Sequence, residues 1–125
     1  MKINFEDERP IFQQVAEGIE EGILTGAYPE GGQVPSTTEI SMVYKINPAT
    51  ALKGITRLVE EGIVYKQRGV GMFVAHGAVE QVREKRKSAF YDQHVLRLIR
   101  EAKRLNLSLG ETVELIERSY ENEPD

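Results

Sequence analysis

The chain has 125 residues, 40% of them apolar, a net charge of −4 and no cysteine. That length suits one compact domain plus an appendage, not two full-sized domains, and the missing thiols exclude disulfides, thiol catalysis and thiolate metal sites. The charged start MKINFEDERP and the short apolar runs are not those of a signal peptide or a membrane span, so the cytoplasm is the expected compartment.

In chain order, Phe12, Val15, Ala16, Ile19 and Ile23 recur at helical spacing and predict a first helix over residues 10–25. Pro10 suits its first turn, and Gly26 is placed to end it in a left-handed conformation. A turn-rich link, Tyr28-Pro29-Glu30-Gly31-Gly32, follows. Ser36-Thr37-Thr38-Glu39 is a capping box opening a second helix, with Ile40, Val43 and Tyr44 as its buried face. Asn47-Pro48 opens a third, since asparagine is a favoured cap and proline lacks only an N–H that would be unpaired there. Ala51, Leu52, Ile55, Leu58 and Val59 line one side of this helix, and Gly62 closes it.

Residues 63–66 and 72–75 read as two strands around the glycine-punctuated turn Gln67-Arg68-Gly69-Val70-Gly71. A long helix is expected over residues 78–106, and Ser108-Leu109-Gly110-Glu111 is a second capping box, opening a last helix to about Tyr120. Two helices a short turn apart, a third element and a hairpin make a winged helix-turn-helix. The expected class is therefore α+β, mainly helical: a winged helix-turn-helix DNA-binding domain over residues 1–76 and a two-helix dimerisation tail over 77–125.

Charge is unevenly spread. Residues 35–76 carry five bases against three acids and 77–106 carry eight against four, whereas 1–34 carry two against seven and 107–125 one against six. A basic middle between acidic ends is compatible with nucleic-acid binding.

Residues 10–74 resemble the DNA-binding domain of the GntR family of bacterial transcription regulators. The likeness is carried by Pro10-Ile11-Phe12, Gln14, Ile19, Ile23, Gly26, Pro35-Ser36, Glu39, Thr50, Leu58, Glu61-Gly62-Ile63 and Gly69-x-Gly71-x-Phe73-Val74. The start Ile46-Asn47-Pro48-x-Thr50 and the short tail resemble the YtrA subfamily. Two departures stand out. Thr38 occupies a position where the family usually has a DNA-contacting arginine, and Val70 replaces a common arginine of the wing. Threonine and valine lack the paired donors with which arginine grips a phosphate or a guanine edge, so weaker or differently specified DNA binding is expected.

Candidate DNA-binding residues follow from the architecture. Asn47, Ala49 and Thr50 at the start of the third helix are placed for base edges, Lys53 and Arg57 for its solvent face, and Lys53 for a phosphate. Ser36, Thr37 and Thr38 open the second helix, where amides and hydroxyls suit a phosphate; Arg68 and Gly69 form the wing tip. Taken singly, Ser36 and Asn47 are better explained as caps and nothing more and Lys53 and Arg57 as solvated charges, and Gly69 can serve only the turn; it is the winged-helix arrangement that gathers them on one surface.

In the tail, Val82, Ala89 and Leu96 repeat every seven residues, while Tyr91, Val95, Leu98, Ile99, Ala102 and Leu105 form a second side. Two apolar sides need two partners: the last helix, through Val113, Ile116 and Tyr120, and a second subunit, with Val82, Ala89 and Leu96 at the dimer interface. The run Arg83–Lys87 (REKRK) is a solvated face or lies near phosphates. Neither a cofactor nor a metal is expected. The leading expectation is a homodimeric, sequence-specific transcription regulator, a repressor on a palindromic operator of double-stranded DNA. The alternative is a winged-helix protein-interaction module with little DNA affinity. An enzyme is disfavoured by the absence of a nucleophile–base or phosphate-loop constellation.

Overall fold

A computed structural model describes residues 1–124. Three helices come first, α1 (Ile11–Thr25), α2 (Thr37–Tyr44) and α3 (Pro48–Glu60). An antiparallel hairpin of β1 (Val64–Gln67) and β2 (Gly71–Val74) follows, then α4 (Ala78–Phe90), a π-helical turn (Tyr91–Val95), α5 (Leu96–Arg104) and α6 (Leu109–Asn122). The chain forms two compact units, residues 1–85 and the remainder from Arg86.

The local stop and start signals act as expected. Gly26 ends α1 at φ 85°, a left-handed conformation that costs glycine little. Ser36 and Glu39 close a reciprocal capping box on α2, and the Asn47 side chain accepts from the Ala49 amide ahead of Pro48. Ser108 and Glu111 repeat the box on α6.

One core holds the first unit. Ile19 and Ile23 of α1, Ile40 of α2, Ile55 and Leu58 of α3, and Ile63 and Val74 of the hairpin are all essentially inaccessible. Its tightest crossing is α1 over α3 at Gly54, where a Cβ would lie 2.7 Å from the Phe12 carbonyl oxygen and 2.9 Å from Val15 Cβ. Backbone fills the space a side chain would need, so the distance between these helices is set by the lack of one.

Long-range contacts complete the unit. The linker between α1 and α2 runs beside β2 through an isolated antiparallel bridge, Gln33 opposite Phe73: the Gly31 amide donates to the Val74 carbonyl (2.8 Å), the Val74 amide to Gly32 (2.9 Å) and the Val34 amide to Met72 (2.9 Å). The Glu30 carboxylate caps α4 from 47 residues away, accepting from the Gly77 (2.8 Å) and Val79 (3.1 Å) amides. These two bonds hold its carboxyl below the ordinary glutamate range. Gln14, buried on α1, accepts from the Asn4 amide and donates to the Asn4 and Arg9 carbonyls, so the first nine residues are tied down.

Several expectations are corrected. Val43 is 69% exposed and Leu52 is 48% exposed, so the buried stripes of α2 and α3 are narrower than their apolar residues suggest. The first unit continues past residue 76 because Ala78 and Val82 sink into its core. Val82 is therefore consumed by its own domain and is withdrawn from the dimer interface; Ala89 and Leu96 remain half-buried. The expected unbroken helix over 78–106 contains the π turn, an irregularity that shifts the phase of its apolar side.

The REKRK run is also reassigned in part. Lys85 donates to Glu20 and to Glu61, both at 2.7 Å, and Glu61 also accepts from Arg57 (3.3 Å). Glu20 on α1 is almost fully buried, so Lys85 is what makes its charge tolerable. Burial pushes the Glu61 carboxyl up, but Lys85 and Arg57 outweigh this and hold it below its ordinary range. Burial likewise pushes Lys85 down, and the two carboxylates outweigh that and raise it. The depressed Glu61 contributes stability above its unfolded pKa that is lost as pH falls through the lower folded one. The raised Lys85 contributes stability below its unfolded pKa that is lost as pH rises through the higher folded one.

Two outcomes follow. Gly54→Ala should destabilise the protein by about 2 kcal/mol through overpacking, measured by urea unfolding. Lys85→Met should cost about 2 kcal/mol at neutral pH, less than a fully buried break because Lys85 and Glu61 are each about a third exposed. It should also flatten the alkaline limb of the stability profile between the ordinary lysine range and the raised value. A neutral effect of either substitution refutes the corresponding packing or charge assignment.

Candidate nucleic-acid interface

The helix-turn-helix is built by two caps and one tight turn. The α2–α3 connection passes through Lys45 at φ 55°, while the Ser41 hydroxyl donates to the Ile46 carbonyl (2.7 Å) and Ile46 is buried as the pivot. This leaves the start of α3 standing clear: Asn47, Ala49 and Lys53 are exposed, and Thr50 and Arg57 are half-buried on its flanks.

The solvent face of α3 is therefore centred differently from the expected Thr50–Lys53–Arg57 line. The buried side is Ala51, Gly54, Ile55 and Leu58. At 100° per residue, Ala49, Lys53, Thr56 and Glu60 lie opposite it. Together with Leu52, Arg57 and Phe12 these residues line an open groove of about 580 Å³. The Lys53 ammonium sits 4.1 Å from the Phe12 ring centroid, a cation–π contact that steers it to one edge of the groove. Arg57 is engaged by Glu61, so it is a restrained cation. Thr56 and Leu52 were missed by sequence reading. Polarity placed Thr56 nowhere in particular, and hydrophobicity placed Leu52 inside.

At the start of α2, Thr38 is exposed, while Ser36 and Thr37 are half-buried. The Ser36 hydroxyl accepts from the Glu39 amide (3.0 Å), and the Glu39 carboxylate accepts from the Ser36 amide (3.2 Å). The box that specifies the helix thus puts an acid where a phosphate would be received, and Thr38 adds no cation to balance it.

The wing turns at Arg68 and Gly69, both exposed, with Gly69 at φ 76°. Gln33 of the linker braces the turn, its Nε2 donating to the Val70 carbonyl (3.3 Å), and Tyr65 stacks on Phe73 across the strands at 5.8 Å. Val70 is 56% exposed, so the tip of the wing presents Arg68 beside an apolar side chain, with Lys66 exposed further down β1. The α3 face, the α2 start and the wing all belong to the same compact unit. Among the described residues no cluster of histidines and acids could hold a metal ion, and no helix is long and apolar enough to cross a membrane.

Comparison with known proteins agrees with this geometry. The profile of the bacterial regulatory proteins of the gntR family fits residues 11–74, from the start of α1 to the end of β2. The chain is 26% identical to the HTH-type transcriptional repressor YtrA of Bacillus subtilis, over 75% of this chain and 78% of that protein. Among solved structures, a GntR-family regulator from Bacteroides thetaiotaomicron superposes with a TM-score of 0.73 at 31% identity, covering 90% of this chain and 94% of that one. The DNA-binding domain of AraR, solved in complex with operator ORX1, superposes with a TM-score of 0.55 at 28% identity over 60% of this chain and 96% of that domain. Half the chain fits the family profile, and the similarity in fold extends through the C-terminal helices. The chain belongs to the GntR family of bacterial regulatory proteins and is a winged helix-turn-helix transcription regulator.

Proposed function

We propose that this protein is a homodimeric repressor that occupies a palindromic operator in the cytoplasm. The carrying observation is the exposed start of α3 beside the braced wing, in a fold shared with a domain solved on its operator. Asn47, Ala49 and Thr50 face base edges; Lys53 and the hydroxyls and amides of Ser36, Thr37 and Thr38 face phosphates; Arg68 and Gly69 approach the neighbouring minor groove. Arg57, tied to Glu61, orients the far end of α3.

The C-terminal unit supports dimerisation. Leu98, Ile99 and Leu105 of its first helices and Val113, Leu115 and Ile116 of α6 are each about 40% exposed or more. Together with Ala102 and Tyr120, several of these line an open groove of about 970 Å³. So much unburied apolar surface on helices is characteristic of an incomplete assembly. Charge adds complementarity: Arg97, Arg100, Lys103 and Arg104 lie on α5, and Glu111, Glu114, Glu117 and Glu121 on α6. A second copy supplies both the missing apolar partner and the opposite charge. Dimerisation would set two α3 helices about 34 Å apart, one turn of DNA.

Selection from a random DNA library at two salt concentrations tests the reading. An enriched inverted repeat with a steep salt dependence is expected, and no enrichment with no DNA retention refutes it. On the selected operator, Thr50→Ala should change base preference, whereas Lys53→Ala should weaken all sequences alike. Wild-type protein should sediment as a dimer and Ile116→Glu as a monomer with at least tenfold weaker operator binding; a monomeric wild type overturns the assembly.

A further inference from the structure

We infer that the middle of α3 reads thymine by its methyl group, with Leu52 as the reading side chain. This rests on the DNA-binding role proposed above and concerns what that site selects. Leu52 is 48% exposed on a helix whose other large aliphatic side chains, Ile55 and Leu58, are fully buried. Ala49, three residues before it, and Thr56, four after, are exposed on the same side, so the three make a strip of methyl groups along the helix. Lys53 borders this strip at the Phe12 ring, and Arg57, one turn further along the same flank, is occupied by Glu61.

Such a strip has no donor or acceptor except the Thr56 hydroxyl. Set against guanine or cytosine edges it would strip water from hydrogen-bonding atoms and return nothing, which is costly. The major groove offers one apolar group, the C5-methyl of thymine, and an apolar side chain packs on it. The Lys53 ammonium at the edge supplies the cation that faces the phosphate-lined groove, while Glu60, the acid on the same face, lies one turn beyond Thr56 at the end of the helix. The occupant is therefore duplex DNA carrying A·T pairs opposite the middle of α3. An exposed leucine that only shields Phe12, or one that docks another protein, makes a different prediction.

The test uses full-length protein and the operator obtained by selection. Each half-site thymine is replaced in turn by deoxyuridine, which removes the methyl and leaves base pairing intact, and affinity is measured by fluorescence anisotropy. At one or two positions a loss of about fourfold per methyl is expected, the ratio for one buried methyl group. In Leu52→Ala the thymine-to-uracil ratio at those positions should fall to about one, and Leu52→Met should restore much of it. Circular dichroism confirms that these surface variants fold. Equal binding of thymine and uracil operators, selected half-sites without thymine, or an undiminished ratio in Leu52→Ala each overturns the inference and leaves the DNA-binding role standing. Failure to select any operator overturns that role instead.

Discussion

Everything in the first unit depends on the backbone contact between α1 and α3 at Gly54. With Phe12 and Val15 filling the space of its missing side chain, α3 lies deep in the domain along one narrow side. That depth decides which residues remain outside. Ala51, Ile55 and Leu58 are swallowed, while Leu52, only one position along the helix from Ala51, is left half in water. The chemistry of the exposed face of α3 is thus fixed by a hydrogen atom on the opposite side of the same helix.

Much of the architecture is readable along the chain because its decisive signals are local. A capping box needs Ser36 and Glu39 only three residues apart, and Asn47-Pro48 acts within one turn, so helix starts can be seen without knowing what packs on them. The contacts that escaped are those between distant residues. Nothing around Glu30 announces a cap for a helix at residue 78, and nothing near Gln33 announces a brace for the wing. Lys85 sits in a run of charges whose composition suggests solvent, yet two carboxylates from α1 and the end of α3 close on it. Periodicity misjudged Leu52, Val43 and Val82 for a related reason: it ranks residues by hydrophobicity, whereas burial depends on how wide a contact the neighbouring element makes.

The C-terminal unit differs in kind from the first. The first unit has a continuous core with every buried side-chain polar atom partnered among the described residues. The second has one well-capped helix, α6, but leaves much of its apolar surface open. Helical order there is encoded locally, by Ser108 and Glu111 at the start of α6, while its apolar side chains stay largely exposed. A separation of this sort lets the two halves differ in what holds them together, a closed core in one and local helix signals in the other.

The linker of residues 29–34 has a consequence for how such a chain can change over time. Surface connections usually accept extra residues because their backbone is committed to nothing. Here Glu30 holds the start of α4, Gly31, Gly32 and Val34 are laced to β2, and Gln33 props the wing. One inserted residue would throw all of these out of step at once, as slipping one tooth misaligns a whole zip. Growth in length is therefore shut out of residues 29–34, and a peptide tag spliced into the protein does not belong there.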